Sequence, residues 1–171
     1  MTEIQRLTHL GICVSDIERS LRLYRDVLGC KEVGRLELEG EPTATLNGMQ
    51  DVKVRAIYLE RDGWRLELLE FPVPGWIGPQ APRPMNQLGL THLSFRVADL
   101  DAVCAQIQSA GGGLLTGTRL ELPGPTRVIM AFDPDGVRLE LIQGPGDPNA
   151  IPRGPRPRAA GDRRQEPATK G

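Results

Sequence analysis

The only two histidines of the chain occupy the same tripeptide, Thr8-His9-Leu10 and Thr91-His92-Leu93, and each is followed within a few residues by Val-x-Asp and an aliphatic residue. A second echo lies further on. Asp62-Gly63-Trp64-Arg65-Leu66-Glu67-Leu68-Leu69 returns as Asp135-Gly136-Val137-Arg138-Leu139-Glu140-Leu141-Ile142. The chain is therefore a duplicated module, each copy carrying one histidine near its start and one glutamate near its end. If the copies pack with pseudo-two-fold symmetry, two imidazoles and two carboxylates converge, and His2Glu2 is a donor set for a divalent metal ion.

Periodicity gives each copy the same layout. Over 7–14, Leu10, Ile12 and Val14 alternate with Leu7, His9, Gly11 and Cys13; over 90–97, Leu93, Phe95 and Val97 alternate with Leu90, His92, Ser94 and Arg96. Both histidines thus fall on the more polar face of a strand. A helix follows in each copy. The first is expected to open with the capping box Ser15-x-x-Glu18, to bury Ile17, Leu21, Tyr24 and Leu28, and to stop at Gly29. The second starts near Asp99, with Leu100, Val103, Cys104, Ile107 and Ala110 as its stripe, and ends in Gly111-Gly112-Gly113. Strand-like runs follow at 31–37, 43–46, 52–59 and 64–71 in the first copy, and at 114–118, 126–133 and 137–143 in the second.

The expected fold is α+β, two tandem βαβββ modules. Module 1 spans about 4–72, a Pro-rich linker 72–88, and module 2 about 89–143, all within one domain of 1–145. His9 and Glu67 are 58 residues apart, His92 and Glu140 only 48. The ten extra residues are placed between Gly34 and Val52. In the linker, Trp76 and Ile77 either fold back over the cavity or cover an edge.

Composition narrows the function. At 171 residues with no apolar run of membrane-spanning length, the chain reads as one soluble domain with no membrane partner. The first residues lack the basic and apolar regions of a secretory signal, so a cytoplasmic location is expected. Cys13, Cys30 and Cys104 form no C-x-x-C pair and are read as buried thiols. From Ile151 onward six basic residues stand against two acidic ones, so the net charge of −1 leaves −5 on the remainder. This basic tail could approach phosphate, but segment 146–171 is rich in Pro, Gly and Arg and poor in aliphatic residues. It is read as an unordered tail, with no nucleic-acid partner.

Glu67 and Glu140 interrupt apolar strands, where an unpaired carboxylate would cost several kcal/mol. Either Arg65 and Arg138, on the same face by period-2 spacing, compensate them, or a cation does. An ion with four protein ligands and a preference for five or six keeps open positions for substrate oxygens. Gripping a carbonyl and its neighbouring oxygen, it would stabilise an enediolate and make the adjacent C–H labile, with a glutamate moving protons.

At these residues the chain resembles the vicinal oxygen chelate superfamily, which includes glyoxalase I, methylmalonyl-CoA epimerase, extradiol dioxygenases and the fosfomycin and bleomycin resistance proteins. The motifs are T-H-L-G-I-x-V-x-D, T-H-L-x-F-x-V-x-D and D-P-D-G-x-x-L-E-L-I, and the resemblance covers about residues 4–143. It implies a curved mixed β-sheet around a metal-binding cavity with helices outside. It also implies His9, Glu67, His92 and Glu140 as ligands of one divalent ion (Zn, Ni, Co, Mn or Fe), with Glu140 and Glu67 as the catalytic carboxylates. Among the family's activities, two histidines with two glutamates resemble glyoxalase I most, and overall spacing resembles the epimerase. The expectation is a metal-dependent isomerase, epimerase or glyoxalase-type lyase acting on a small carbonyl or polyhydroxy substrate. The alternatives are an extradiol-type dioxygenase using His9, His92 and Glu140, which Glu67 and the lack of a third histidine disfavour, and a non-catalytic drug-binding resistance protein. Arg55, Arg96, Arg119 and Arg127 are candidate anion contacts. Internal duplication points to a site within one chain; a homodimer is suggested by family analogy.

Overall fold

A computed structural model describes residues 3–150. Module 1 contains β1 (Leu10–Val14), α1 (Ile17–Leu21), β2 (Lys31–Glu39), α2 (Glu41–Asn47), β3 (Lys53–Arg61) and β4 (Trp64–Val73). Module 2 contains β5 (Leu93–Arg96), α3 (Leu100–Ser109), β6 (Gly113–Leu122), β7 (Thr126–Phe132) and β8 (Arg138–Gln143). Each module forms its own four-stranded mixed sheet, in the orders β1-β4-β3-β2 and β5-β8-β7-β6. The first strand runs parallel to the last, and the other pairs are antiparallel. The expected α+β pair of βαβββ units is the observed one.

Strand parity separates two faces in each sheet. Val14, Leu66, Leu68, Ile57 and Leu59 of the first sheet, and Leu139, Leu141, Ile129 and Ala131 of the second, join one continuous core with Ile17, Leu21, Tyr24, Leu28, Leu100 and Ile107 of the helices. The two modules therefore share a single core, with α3 packed against the turn that extends α1. Each fully buried Leu or Ile contributes about 1.5–3 kcal/mol to holding them together. His9, Glu67, His92 and Glu140 lie on the opposite faces.

The helix stripes are buried as the sequence predicts, except that Val103 is only half-buried, but the start of α1 is not a Ser15 capping box. Asp16 is the N-cap, accepting from the Arg19 amide at 2.9 Å. Ser15 is diverted: its amide and hydroxyl both donate to Asp135 of module 2, at 3.0 and 2.6 Å. After Leu21 the helix widens into a π-type turn over Arg22–Val27, and Gly29 ends it at φ +69°. The second helix starts where expected, with Asp99 as its N-cap accepting from the amides of Asp101 and Ala102.

The extra residues of module 1 fall between β2 and β3, as the interval lengths indicate, yet they are not a strand. Thr43–Leu46 lies inside α2, bracketed by Gly40 at φ +82° and by Gly48 in the left-handed conformation. Its Ala44 packs with Val52, Val54, Leu69 and Phe71 into a small second core. Packing on that patch overrides the β-branched local sequence.

A polar latch joins the modules. Asp135, with its side chain 8% exposed, accepts from Ser15, Arg19 and Gln80. Burial pushes this carboxyl up, but the hydrogen bonds from Ser15 and Gln80 and the charge of Arg19 hold it below its ordinary value. Nearby, buried Asp133 accepts from the Tyr24 hydroxyl at 2.9 Å and from the amides of Asp135 and Val137. Its desolvation is incompletely offset, so its pKa is raised. The linker crosses this corner: Gly136, at φ +90°, has no room for a Cβ beside the Ala81 backbone. Ile77 is 98% exposed and Trp76 is 45% exposed, so Ile77 covers neither cavity nor edge.

Of the cysteines, Cys30 and Cys104 are buried but Cys13 is exposed, against the expectation of three buried thiols. Among the described residues no helix is long and apolar enough to cross a membrane. The expected unordered tail falls, from Ile151 onward, outside the described residues.

Candidate functional site

Each module brings its histidine and glutamate together by pairing its first and last strands. In module 1, His9 immediately precedes β1, and β1 runs beside β4 with Gly11 opposite Glu67. His9 Nε2 lies 3.1 Å from Glu67 Oε2. In module 2, β5 places Ser94 opposite Glu140, and His92 Nε2 lies 3.7 Å from Glu140 Oε2. The glutamate side chains are 13% and 23% exposed and the imidazoles 35% and 27%, so all four are partly shielded yet reachable.

In each tripeptide the threonine hydroxyl lies against Nδ1 of the histidine that follows it. Thr8 Oγ1 is 3.1 Å from His9 Nδ1, and Thr91 Oγ1 is 3.0 Å from His92 Nδ1. An imidazole whose Nδ1–H donates to such an oxygen presents the Nε2 lone pair, the form a metal ligand needs. Sequence reading noted the repeated threonine but gave it no role.

Two further groups were not foreseen. The Ser94 hydroxyl donates to Glu140 Oε2 at 2.7 Å. Tyr58 of β3 lies opposite Glu67 in the β3–β4 register. Its ring meets His9 edge-on, with centroids 5.5 Å apart and planes at 78°. Hydrogen bonding to Glu67, followed by burial, pushes the phenol up to about 12. Ser94 was visible as a period-2 neighbour of His92; Tyr58 needed the cross-strand register.

The arginine explanation for the glutamates fails. Arg65 pairs with Glu60, and Arg138 donates to the carbonyl of Arg83. Of the candidate anion contacts, Arg55 is held by Glu70, and Arg119 and Arg127 by Asp101. Arg96, on the face of Glu140, donates to the carbonyl of Pro145.

The donor chemistry fits a divalent ion. Two donors bound at about 2.1 Å each lie roughly 3.0–3.4 Å apart; the 3.1 Å pair falls within that span and the 3.7 Å pair just beyond it. The chain does not, however, gather all four ligands. Among the described residues no group of three or more His, Cys, Asp or Glu side chains could hold an ion. The structure does not bring the four expected ligands of one chain together: His9–Glu67 and His92–Glu140 stand as two separate pairs, because the shared core holds the modules by the faces opposite them. Beside His9, a pocket of about 200 Å³ is lined by Arg6, Thr8, Trp64 and Arg65. That is smaller than the roughly 300–1,000 Å³ of ordinary ligand pockets.

Comparison with known proteins places the chain in a family. The family model for the Glyoxalase/Bleomycin resistance protein/Dioxygenase superfamily matches residues 6–141. The protein YaeR of Escherichia coli is 29% identical over 143 residues, covering 84% of this chain and 99% of its own. A lactoylglutathione lyase of Neisseria meningitidis serogroup A is 27% identical over 139 residues, covering 81% of this chain and 90% of that enzyme. The crystal structure of a glyoxalase family protein from Bacillus cereus is similar with a TM-score of 0.73 at 21% identity, covering 85% of this chain and 97% of that one. The last likeness is one of fold.

Proposed function

Because the chain belongs to the Glyoxalase/Bleomycin resistance protein/Dioxygenase superfamily, we propose that it is a divalent-metal-dependent enzyme. It moves a proton beside a carbonyl of a small substrate, as a glyoxalase I-like lyase or an epimerase-like isomerase. The observation that carries this reading is the matched His–Glu pair in each module, each ring oriented by its own threonine. Similarity to a lactoylglutathione lyase supports the same chemistry.

His9, Glu67, His92 and Glu140 are the proposed ligands. They meet when the ligand face of module 1 in one copy lies against that of module 2 in a second copy, so a homodimer forms two equal sites. Three features support this assembly. The shared core occupies the other face of each sheet, the pocket beside His9, at about 200 Å³, is smaller than ordinary ligand pockets, and the two ligand faces differ in charge. Around Glu67, Arg65 is neutralised by Glu60, while Glu140 is flanked by Arg96 and Arg138, which among the described residues bond only to backbone carbonyls.

A bound divalent ion would polarise a chelated carbonyl and acidify the neighbouring C–H bond. The carboxylates do the proton work. One of Glu67 and Glu140 accepts the α-proton on an oxygen and the other returns it, with Ser94 and Tyr58 orienting them. Dioxygenase chemistry is the weaker reading, since Glu67 fills a fourth ligand position and both histidines are already used.

Elemental analysis tests the site and its assembly together. Protein purified without chelator should carry about one ion per chain, and His9→Ala and His92→Ala should each lose it. Unfolding and refolding the two variants as a mixture should restore about a quarter of the sites, because half the dimers then contain one intact set. Full metal content in both variants rejects the ligands; metal in the wild type with no recovery on mixing rejects the two-copy site. Solvent deuterium entering the α-carbon of a hydroxycarbonyl substrate would identify the reaction class.

A further inference from the structure

The two halves of the proposed site are supported by different residues. In module 2 a hydroxyl reaches Glu140 from the parallel neighbour, β5, through Ser94. The matching position in module 1 is Gly11, which has no side chain to offer. A Cβ there would lie 3.4 Å from Leu69 Cδ1 and 4.0 Å from Glu67 Oε2. Glu67 is instead approached from the antiparallel neighbour, where β3 presents Tyr58; the matching residue opposite Glu140 is Met130. Tyr58 also does what Ser94 does not, since its ring edge packs on the His9 imidazole at 5.5 Å.

From this register and this ring contact we infer that Tyr58 is a positioning residue, standing directly across from Glu67 so that its hydroxyl can steady the carboxylate, and packing its ring on His9, so that module 1 presents both ligands to the ion in fixed geometry. The inference rests on the metal-site reading above. Its physical basis is the usual one for groups that support ligands: a hydrogen bond to the carboxylate selects which oxygen is free, and contact with the imidazole removes ring rotation. The closer His9–Glu67 approach, 3.1 Å against 3.7 Å for His92–Glu140, is consistent with the double contact. Module 2 has no aromatic residue at the corresponding place.

The test uses full-length protein and Co(II) as probe, with the visible absorption bands of bound cobalt as a readout independent of turnover. Tyr58→Phe keeps the ring edge on His9 and removes the hydroxyl; Tyr58→Leu removes both. Co(II) affinity should weaken about 10- to 100-fold in Tyr58→Phe and further in Tyr58→Leu, with altered cobalt bands. Because the chain has two histidines, NMR of the metal-free protein provides two imidazole signals, and only that of His9 should move. Wild-type binding with unchanged Tyr58→Phe affinity and bands overturns the inference and leaves the metal site standing. Absence of Co(II) binding by the wild type overturns the metal reading and this inference with it.

Discussion

Module 1 and module 2 share a histidine–glutamate pair and almost nothing of what buttresses it. Thr-His-Leu and the Leu-Glu-Leu strand are retained in both, whereas the residues buttressing the glutamate differ on each flank: Gly11 and Tyr58 in one, Ser94 and Met130 in the other. The shared Asp-Gly dipeptide diverges most. Asp62-Gly63 forms a tight hairpin turn with φ values of 52° and 83°, and the Asp62 side chain is 74% exposed. Asp135-Gly136 is buried under the linker and accepts three side chains and an amide from elsewhere in the chain. A duplicated motif thus separates the groups that chemistry requires in both halves from those each half recruited for its own setting.

The sharpest way to break this contrast is to make the same change at both dipeptides. Asp135→Asn places an amide among donors and removes the Arg19 ion pair, and should lower unfolding free energy by about 2–4 kcal/mol in urea titrations. Its pH dependence has a defined sign. The folded carboxyl titrates below its ordinary value, so its stabilising contribution is complete above the unfolded pKa of about 3.9. The contribution is lost as pH falls through the lower folded pKa. The variant should lack that part of the acid-induced loss.

Next in size is the satellite core of α2, which module 2 lacks. Val54→Ala should cost about 1–2 kcal/mol and raise amide exchange in α2 while leaving β5–β8 unchanged. Equal loosening of module 2 would show that α2 belongs to the common core. A smaller effect is expected from alkali. Tyr58 is held to about 12 chiefly by Glu67, and Tyr24 is pushed well above its ordinary value by burial and by Asp133. Both phenols stabilise the fold fully below the unfolded value of about 10, and Tyr58 loses its share as pH rises toward about 12. Tyrosinate absorbance in the native protein should stay flat through pH 10; a step there would separate Tyr58 from Glu67. The smallest effect is the partner of the first: Asp62→Asn, in a turn that asparagine also accepts, should stay within about 0.5 kcal/mol.

Much of this architecture was legible because it repeats. Alternation put His9 and His92 opposite the core residues Leu10, Ile12, Leu93 and Phe95, and the 58- against 48-residue intervals located the insertion. The character of the insertion was not legible, since Thr43–Leu46 has the local composition of a strand and becomes helical through Gly40, Gly48 and contact with Phe71. Ser15 read as a cap because its partner, Asp135, is distant in sequence. His9, Glu67, His92 and Glu140 were read as one set, but their separation into two pairs follows from which sheet faces meet in the core. Periodicity assigns residues to faces without saying which faces meet. Tyr58 was hidden for a similar reason, its importance depending on the register of β3 against β4.

The bond from Ser15 to Asp135 spans 120 residues, and that span has a bearing on biosynthesis. A ribosome adding about 5–20 residues per second delivers the acceptor on the order of ten seconds after the donor. Through that interval the Ser15 amide and hydroxyl and the Arg19 guanidinium are without the carboxylate that binds them in the finished fold, while α1 can already pack on β4 of its own sheet. Module 1 is therefore complete in length before the latch that joins it to module 2 can close.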